Sequence, residues 1–199
     1  MWNSIVPIVV GFLLTTVIGG YFATRLQDRT WHHQNDVRLR EEDRDKASDV
    51  CHSLAGLVDK RWYRMQRLLW AIVDNSEGRL ADEALDARLA DYDQVLFEWN
   101  DLLNGRLAIV GAYFGRDLRN FLDKVVYPAF AEAGSQLEAL YRQVKDAGHL
   151  DREEVERASR TLADLNLIAY RLSLTMMVRL REGRVGRAGP DVLGEDALP

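Results

Sequence analysis

The chain has 199 residues, 47% of them hydrophobic and 29% charged, with 26 basic and 31 acidic side chains giving a formal net charge of −5. That is enough apolar material for one ordinary domain and excludes chain-long disorder, while the acidic balance gives no general attraction for polyanions. The mean hydropathy of −0.25 averages two unlike populations: every charged residue lies at or after Arg25, and the first 24 positions carry none.

Residues 1–24 form the first expected element. The stretch Ile5 to Ala23 is uncharged and mostly apolar; as a helix rising about 1.5 Å per residue it spans roughly 28 Å, close to the hydrocarbon thickness of a bilayer. Pro7 falls in the first turn, where its missing N–H costs nothing, and Trp2, Tyr21 and Phe22 supply aromatic rings at both interfaces. A cleaved signal peptide needs a basic start and a small-residue cleavage site, and neither is present. We therefore expect an uncleaved transmembrane anchor with the lipid bilayer as its partner. No basic residue precedes it, and Arg25, Arg29, Arg38, Arg40, Arg44 and Lys46 follow closely. This asymmetry places the N-terminus outside and the bulk of the chain in the cytoplasm, at a bacterial inner membrane. The single Cys51 agrees with a reducing compartment. Gly11, Thr15, Gly19 and Ala23 recur every four residues, the small-residue face through which transmembrane helices approach one another.

Residues 25–46 carry six acids and six bases and contain neither Gly nor Pro, so the anchor helix is expected to continue as a charged stalk. Asp36 with Arg40 and Glu42 with Lys46 have the four-residue spacing of helix-supporting ion pairs. Leu26, Val37 and Leu39 are isolated, which gives no two-stranded coiled-coil seam.

Residues 47–182 predict an antiparallel four-helix bundle. The first helix carries Ala47, Val50, Leu54, Leu57, Val58, Trp62, Met65, Leu69 and Ile72 on one face and is broken by Asn75, Ser76 and Gly78. The second carries Leu85, Leu89, Tyr92, Leu96, Trp99 and Leu103, with Asn104-Gly105 as its expected stop and Leu107 to Gly115 as a tight, buried connection. The third runs from Leu118 through Leu137 to Val144, with a kink expected at Pro128 and a stop at Gly148. Asp151 with Glu154 resembles a capping box opening the fourth, which Gly183 ends. Residues 183–199, with four Gly and two Pro, are expected to be a disordered tail. The fold class is thus all-α: one transmembrane helix, a charged stalk and a four-helix bundle. Leu165 to Val178 is apolar nearly all round, as a helix is when it also faces another subunit. With the small-residue face, it implies a homo-oligomer.

Candidate chemistry is sparse. Lys60, Arg61, Arg64 and Arg67 interleave with Trp62 and Tyr63, but eight acids between residues 76 and 104 offer these bases partners within the fold, so nucleic acid is not the expected partner. Arg171 interrupts the most apolar stretch of the cytoplasmic part; a buried arginine there must be paired, and Asp164 lies seven residues before it. Arg142 and His149 have the loose spacing of an Arg-to-His pair in nucleases of the HEPN helical-bundle class. A diiron site needs two Glu-x-x-His motifs, and only Asp49-x-x-His52 comes near. His32 and His33 beside Trp31 read as a juxtamembrane group. No phosphate-binding glycine loop, nucleophile elbow or paired-carboxylate arrangement appears. The sequence therefore predicts no enzyme, no cofactor and no metal, and points instead to a cytoplasmic protein partner.

The layout of one N-terminal span, a charged stalk and a cytoplasmic helical bundle resembles the small CRISPR-associated membrane accessory proteins that assemble into pores in antiviral defence. That resemblance implies a ring of subunits that permeabilises or depolarises the inner membrane. The Arg142 and His149 spacing implies, as a further alternative, a membrane-tethered ribonuclease.

Overall fold

A computed structural model describes the backbone of residues 2–186 and the side chains of residue 31 and of residues 34–186. The expected anchor and its Gly11, Thr15, Gly19 and Ala23 face lie outside the described side chains, as do His32 and His33; positions 187–199 of the expected tail lie outside the described residues altogether. The described fold is all-helical. Its elements are α1 (Trp2–Ser76), α2 (Asp82–Phe114), α3 (Arg116–Phe121), a π-helical turn (Leu122–Val126), α4 (Tyr127–Ala147) and α5 (Arg152–Arg181). Among the described residues no helix is long and apolar enough to cross a membrane.

The chain divides into two units, Met1–Glu42 and Asp43–Pro199. In the first, among the described side chains, Arg38 pairs with Glu42 four residues on, at 3.6 Å between exposed side chains. Trp31, Val37 and Leu39 are all exposed, as expected where no apolar seam runs along a helix.

The second unit is a helical bundle. Core positions on α1 repeat at three and four residues, from Ala47 through Cys51, Leu54, Val58 and Met65 to Ile72, all buried. Lys60 meets Glu98 at 2.7 Å and Arg64 meets Asp91 at 3.0 Å. As the α1 number rises the α2 number falls, so the two helices are antiparallel. Tyr141 donates to Asp86 at 2.7 Å, and Lys145 approaches Asp86 and Asp82 at 3.1 and 3.7 Å; these contacts fix α4 antiparallel to α2. The Trp62 indole donates to the Leu162 carbonyl at 3.0 Å, tying α1 to α5.

Two connections differ from expectation. Asn104-Gly105 does not end α2, which continues to Phe114. Leu107, Val110 and Phe114 extend its buried row beyond Trp99, and this burial outweighs the roughly 1 kcal/mol that a mid-helix glycine costs. The connection is Gly115 alone, at φ +90°. The expected kink at Pro128 is a π turn immediately before it: the Tyr127 N–H reaches the Leu122 carbonyl, five residues back. Proline cannot donate to the carbonyl four residues earlier and its ring crowds that carbonyl, and the wider turn relieves both.

Gly148 at φ +69° closes α4, and the Asp151 carboxylate caps α5 by accepting from the Glu153 N–H at 2.8 Å. At the other end of α5, Arg179 donates to the Phe114 carbonyl and grips Asp117 with both terminal nitrogens, clamping the Gly115 corner. The first residues of the expected tail fold back: Gly186 donates to the Tyr113 carbonyl at 3.0 Å, and Val185 packs against the core.

The Arg179 contact holds the Asp117 carboxyl below its ordinary range, ahead of the opposing effect of burial. A carboxylate whose folded pKa is depressed lends stability above its unfolded value, and that stability is lost as pH falls through the folded one. Wild-type protein is expected to lose urea resistance between about pH 5 and pH 2. Asp117→Asn should lower the urea midpoint at pH 7 and flatten this acid dependence; equal slopes for the two proteins would show that the corner does not titrate.

Candidate functional site

A cleft of about 350 Å³ lies between α2 and α4, with α1 at its floor. Arg61 forms that floor. The side chain occupies a core register, three residues after Val58 and four before Met65, and is only 2% exposed. Its guanidinium carbon lies 5.1 Å from the centre of the Trp99 ring and 4.7 Å from that of Phe130. Those two rings are themselves packed at 5.4 Å between centroids, tilted by 36°. The aromatic faces offer the cation a quadrupolar bed, but they leave its Nε and Nη1 without a hydrogen-bond acceptor, and the buried Trp99 indole Nε1 has none either.

Burial pulls the Arg61 pKa downward, partly offset by the Tyr92 hydroxyl beside it. The ordinary guanidinium value lies so far above neutrality that the group stays cationic. Burial likewise raises the Tyr92 phenol, ahead of the opposing pull of Arg61. Space for the Tyr92 hydroxyl comes from Gly134 on α4, where a Cβ would stand 2.7 Å from that oxygen.

The rim is acidic. Asp93 is half-buried, and its pKa is raised first by burial and then by the nearby Glu138 charge. Glu138 in turn is gripped by Arg142 one turn along α4. The walls between rim and floor are apolar and include Leu68, Leu89 and Leu96.

Arg61 stands apart from the other bases of its segment. Lys60 and Arg64 are paired with acids of α2, and Arg67 lies over the Tyr63 ring at 5.9 Å. The cluster that resembles a nucleic-acid patch in sequence is thus divided among helix pairing, an intrahelical contact and the core.

Arg171 is exposed on α5, and among the described residues the buried arginine is Arg61 instead. The buried face of α5 is made by Leu162, Leu165, Ala169, Leu172 and Met176. Arg171 falls about 100° from Leu172 around the helix and reaches solvent. Arg142 lines the cleft. His149 sits in the turn after Gly148, its Nδ1 3.1 Å from the Ala147 carbonyl, and no hydrogen bond joins it to Arg142 among the described residues. Among those residues no cluster of three or more His, Cys, Asp or Glu could hold a metal ion. Cys51 is buried, and burial raises its thiol pKa.

The apolar stretch of α5 has a second face. Leu167, Tyr170, Leu174 and Met177 are 62%, 62%, 45% and 60% exposed, a row spaced 3-4-3 along the helix that no part of the described fold covers. Such a run of large apolar groups is the pattern of a helix-packing surface.

Fold and site together define an all-α helical bundle with a buried cation under a cleft. Compared with protein-family models, curated proteins and solved structures, the chain matches none.

Proposed function

We propose that this chain is a single-pass bacterial inner-membrane protein, anchored through Ile5 to Ala23, whose cytoplasmic bundle self-associates and engages a protein partner without catalysis. The observation that carries self-association is the exposed row Leu167, Tyr170, Leu174 and Met177 on α5. The charge-free N-terminus and the six basic residues following it support the anchor and its orientation. The occupant of the α5 row is a second copy of the chain. Tethering in one membrane concentrates copies in the same layer and relates two of them by an axis along the membrane normal, so residues nearest that axis meet their own counterparts.

Full-length protein carrying Leu174→Cys is expected to form a disulfide-linked dimer in nanodiscs under mild oxidation, while buried Cys51 leaves the parent protein uncrosslinked. Leu167→Glu combined with Leu174→Glu should convert the oligomer to monomer by light scattering. Monomeric wild-type protein, or an oligomer that survives both glutamates, would overturn self-association through α5. Recovery of the chain in the soluble fraction after cell lysis would overturn the anchor.

A further inference from the structure

We propose that the cleft between α1, α2 and α4 binds a small monocarboxylate with an apolar body, its carboxylate seated on Arg61. The site is independent of self-association, since no residue of the α5 row takes part in it.

The demand for an anion comes from Arg61. It is almost wholly buried, lines the cleft, and leaves Nε and Nη1 without an acceptor. Unpaired buried N–H groups on a charged side chain are among the costliest features a fold can carry. The aromatic bed compensates for part of the charge but cannot accept the in-plane N–H groups. A carboxylate in the cleft compensates the charge that remains, reaching the guanidinium through Nη2, which is not among the enclosed atoms, while Nε and Nη1 stay against the rings.

The rim decides the charge of the ligand. Asp93 and Glu138 line the same cleft as Arg61, and of the two Glu138 is paired with a cation, Arg142. A dianionic phosphate would bring two negative charges into a lining whose two carboxylates already balance its two guanidiniums. A monocarboxylate matches the single charge of Arg61 and adds half the negative charge that phosphate would. The walls decide the rest: a head group occupies a small part of about 350 Å³, and Leu68, Leu89 and Leu96 offer the remainder an apolar lining of the kind that holds a hydrocarbon or aryl body. Gly134 keeps the α4 wall free of a side chain where the Tyr92 hydroxyl stands beside the guanidinium.

The experiment is calorimetric titration of full-length protein in nanodiscs with phenylacetate, hexanoate, 2-phenylethanol and inorganic phosphate, empty nanodiscs serving as the blank. The acids are expected to bind at least tenfold more tightly than the alcohol, and phosphate not at all. Arg61→Met should bring phenylacetate down to the level of the alcohol while leaving the alcohol unchanged. Leu96→Trp, which fills the cleft from its half-buried wall, should abolish binding of acid and alcohol alike with the helical circular dichroism retained. Failure of both acids to bind, phosphate binding more tightly than the acids, or undiminished acid binding in Arg61→Met or Leu96→Trp each overturns the proposal. Should Arg61→Met fail to fold, the acid-to-alcohol ratio in the parent protein and the Leu96→Trp result decide it.

Discussion

Arg61→Met is expected to raise the unfolding free energy by about 1–4 kcal/mol, the range by which apolar replacement of buried ion pairs can stabilise a fold. Methionine keeps the unbranched stem that packs beside Val58 and Met65, places sulfur near the Trp99 and Phe130 rings where it is well tolerated, and removes the desolvation cost of a guanidinium whose Nε and Nη1 have no acceptor. Urea denaturation at pH 7 without added carboxylate measures the difference. A loss of stability greater than about 1 kcal/mol would mean that the two aromatic faces compensate the cation fully, in which case Arg61 is a structural residue. A gain would mean that the wild-type chain retains a destabilising group at the floor of its cleft, the usual relation between stability and a binding function. Adding phenylacetate should then narrow the gap, because a ligand that binds only the folded wild-type protein stabilises it by mass action.

Trp99→Ala is expected to cost about 3–5 kcal/mol, the range for truncating a buried large aromatic side chain. Trp99 is fully buried, packs on Phe130 and lies beneath the Arg61 guanidinium. Its removal opens a void in the core and withdraws one of the two faces that support the cation. The same substitution made in Arg61→Met should cost less, by on the order of 2 kcal/mol, because the cation–ring attraction is already gone. Thermal or urea unfolding of the four proteins in that cycle supplies the coupling directly. Additive costs would show that Arg61 and Trp99 are neighbours without an energetic link.

Much of the bundle is legible in the sequence because helical periodicity is a local property. Leu54, Val58, Met65 and Ile72 repeat at helical spacing whatever they pack against, and Gly148, Asp151 and Gly183 mark ends through backbone geometry and capping that act within a few residues. The pairing of Lys60 and Arg64 with acids of α2 is also legible, since opposite charges on adjacent antiparallel helices meet. The end of α2 is not. Asn104-Gly105 has the local form of a stop, but Leu107, Val110 and Phe114 find a core to enter, and tertiary burial overrides the local signal. The π turn replaces a plain kink because the Pro128 ring is accommodated by widening the preceding turn within the backbone.

The two arginines show the same limit at the site. Arg171 stands in the more apolar surroundings along the chain, yet Arg61 is the one enclosed. A signal for Arg61 exists: it sits at a core position of the α1 repeat, between Val58 and Met65. Trp62, next to it, satisfies the same pattern with an apolar side chain and masks it. The partners that make the position consequential, Tyr92, Trp99, Phe130 and Gly134, come from two other helices, and nothing in their own segments marks them as neighbours of a cation.

The contrast between a charge-free N-terminus and the charged helical chain after it is set by the sequence alone, since charge and helical period belong to residues and their near neighbours. Which arginine is buried, and which apolar face of α5 is left uncovered, is decided only in three dimensions. Both depend on the rotation of each helix about its own axis within the bundle, a quantity set by packing against the other helices and by no single one of them.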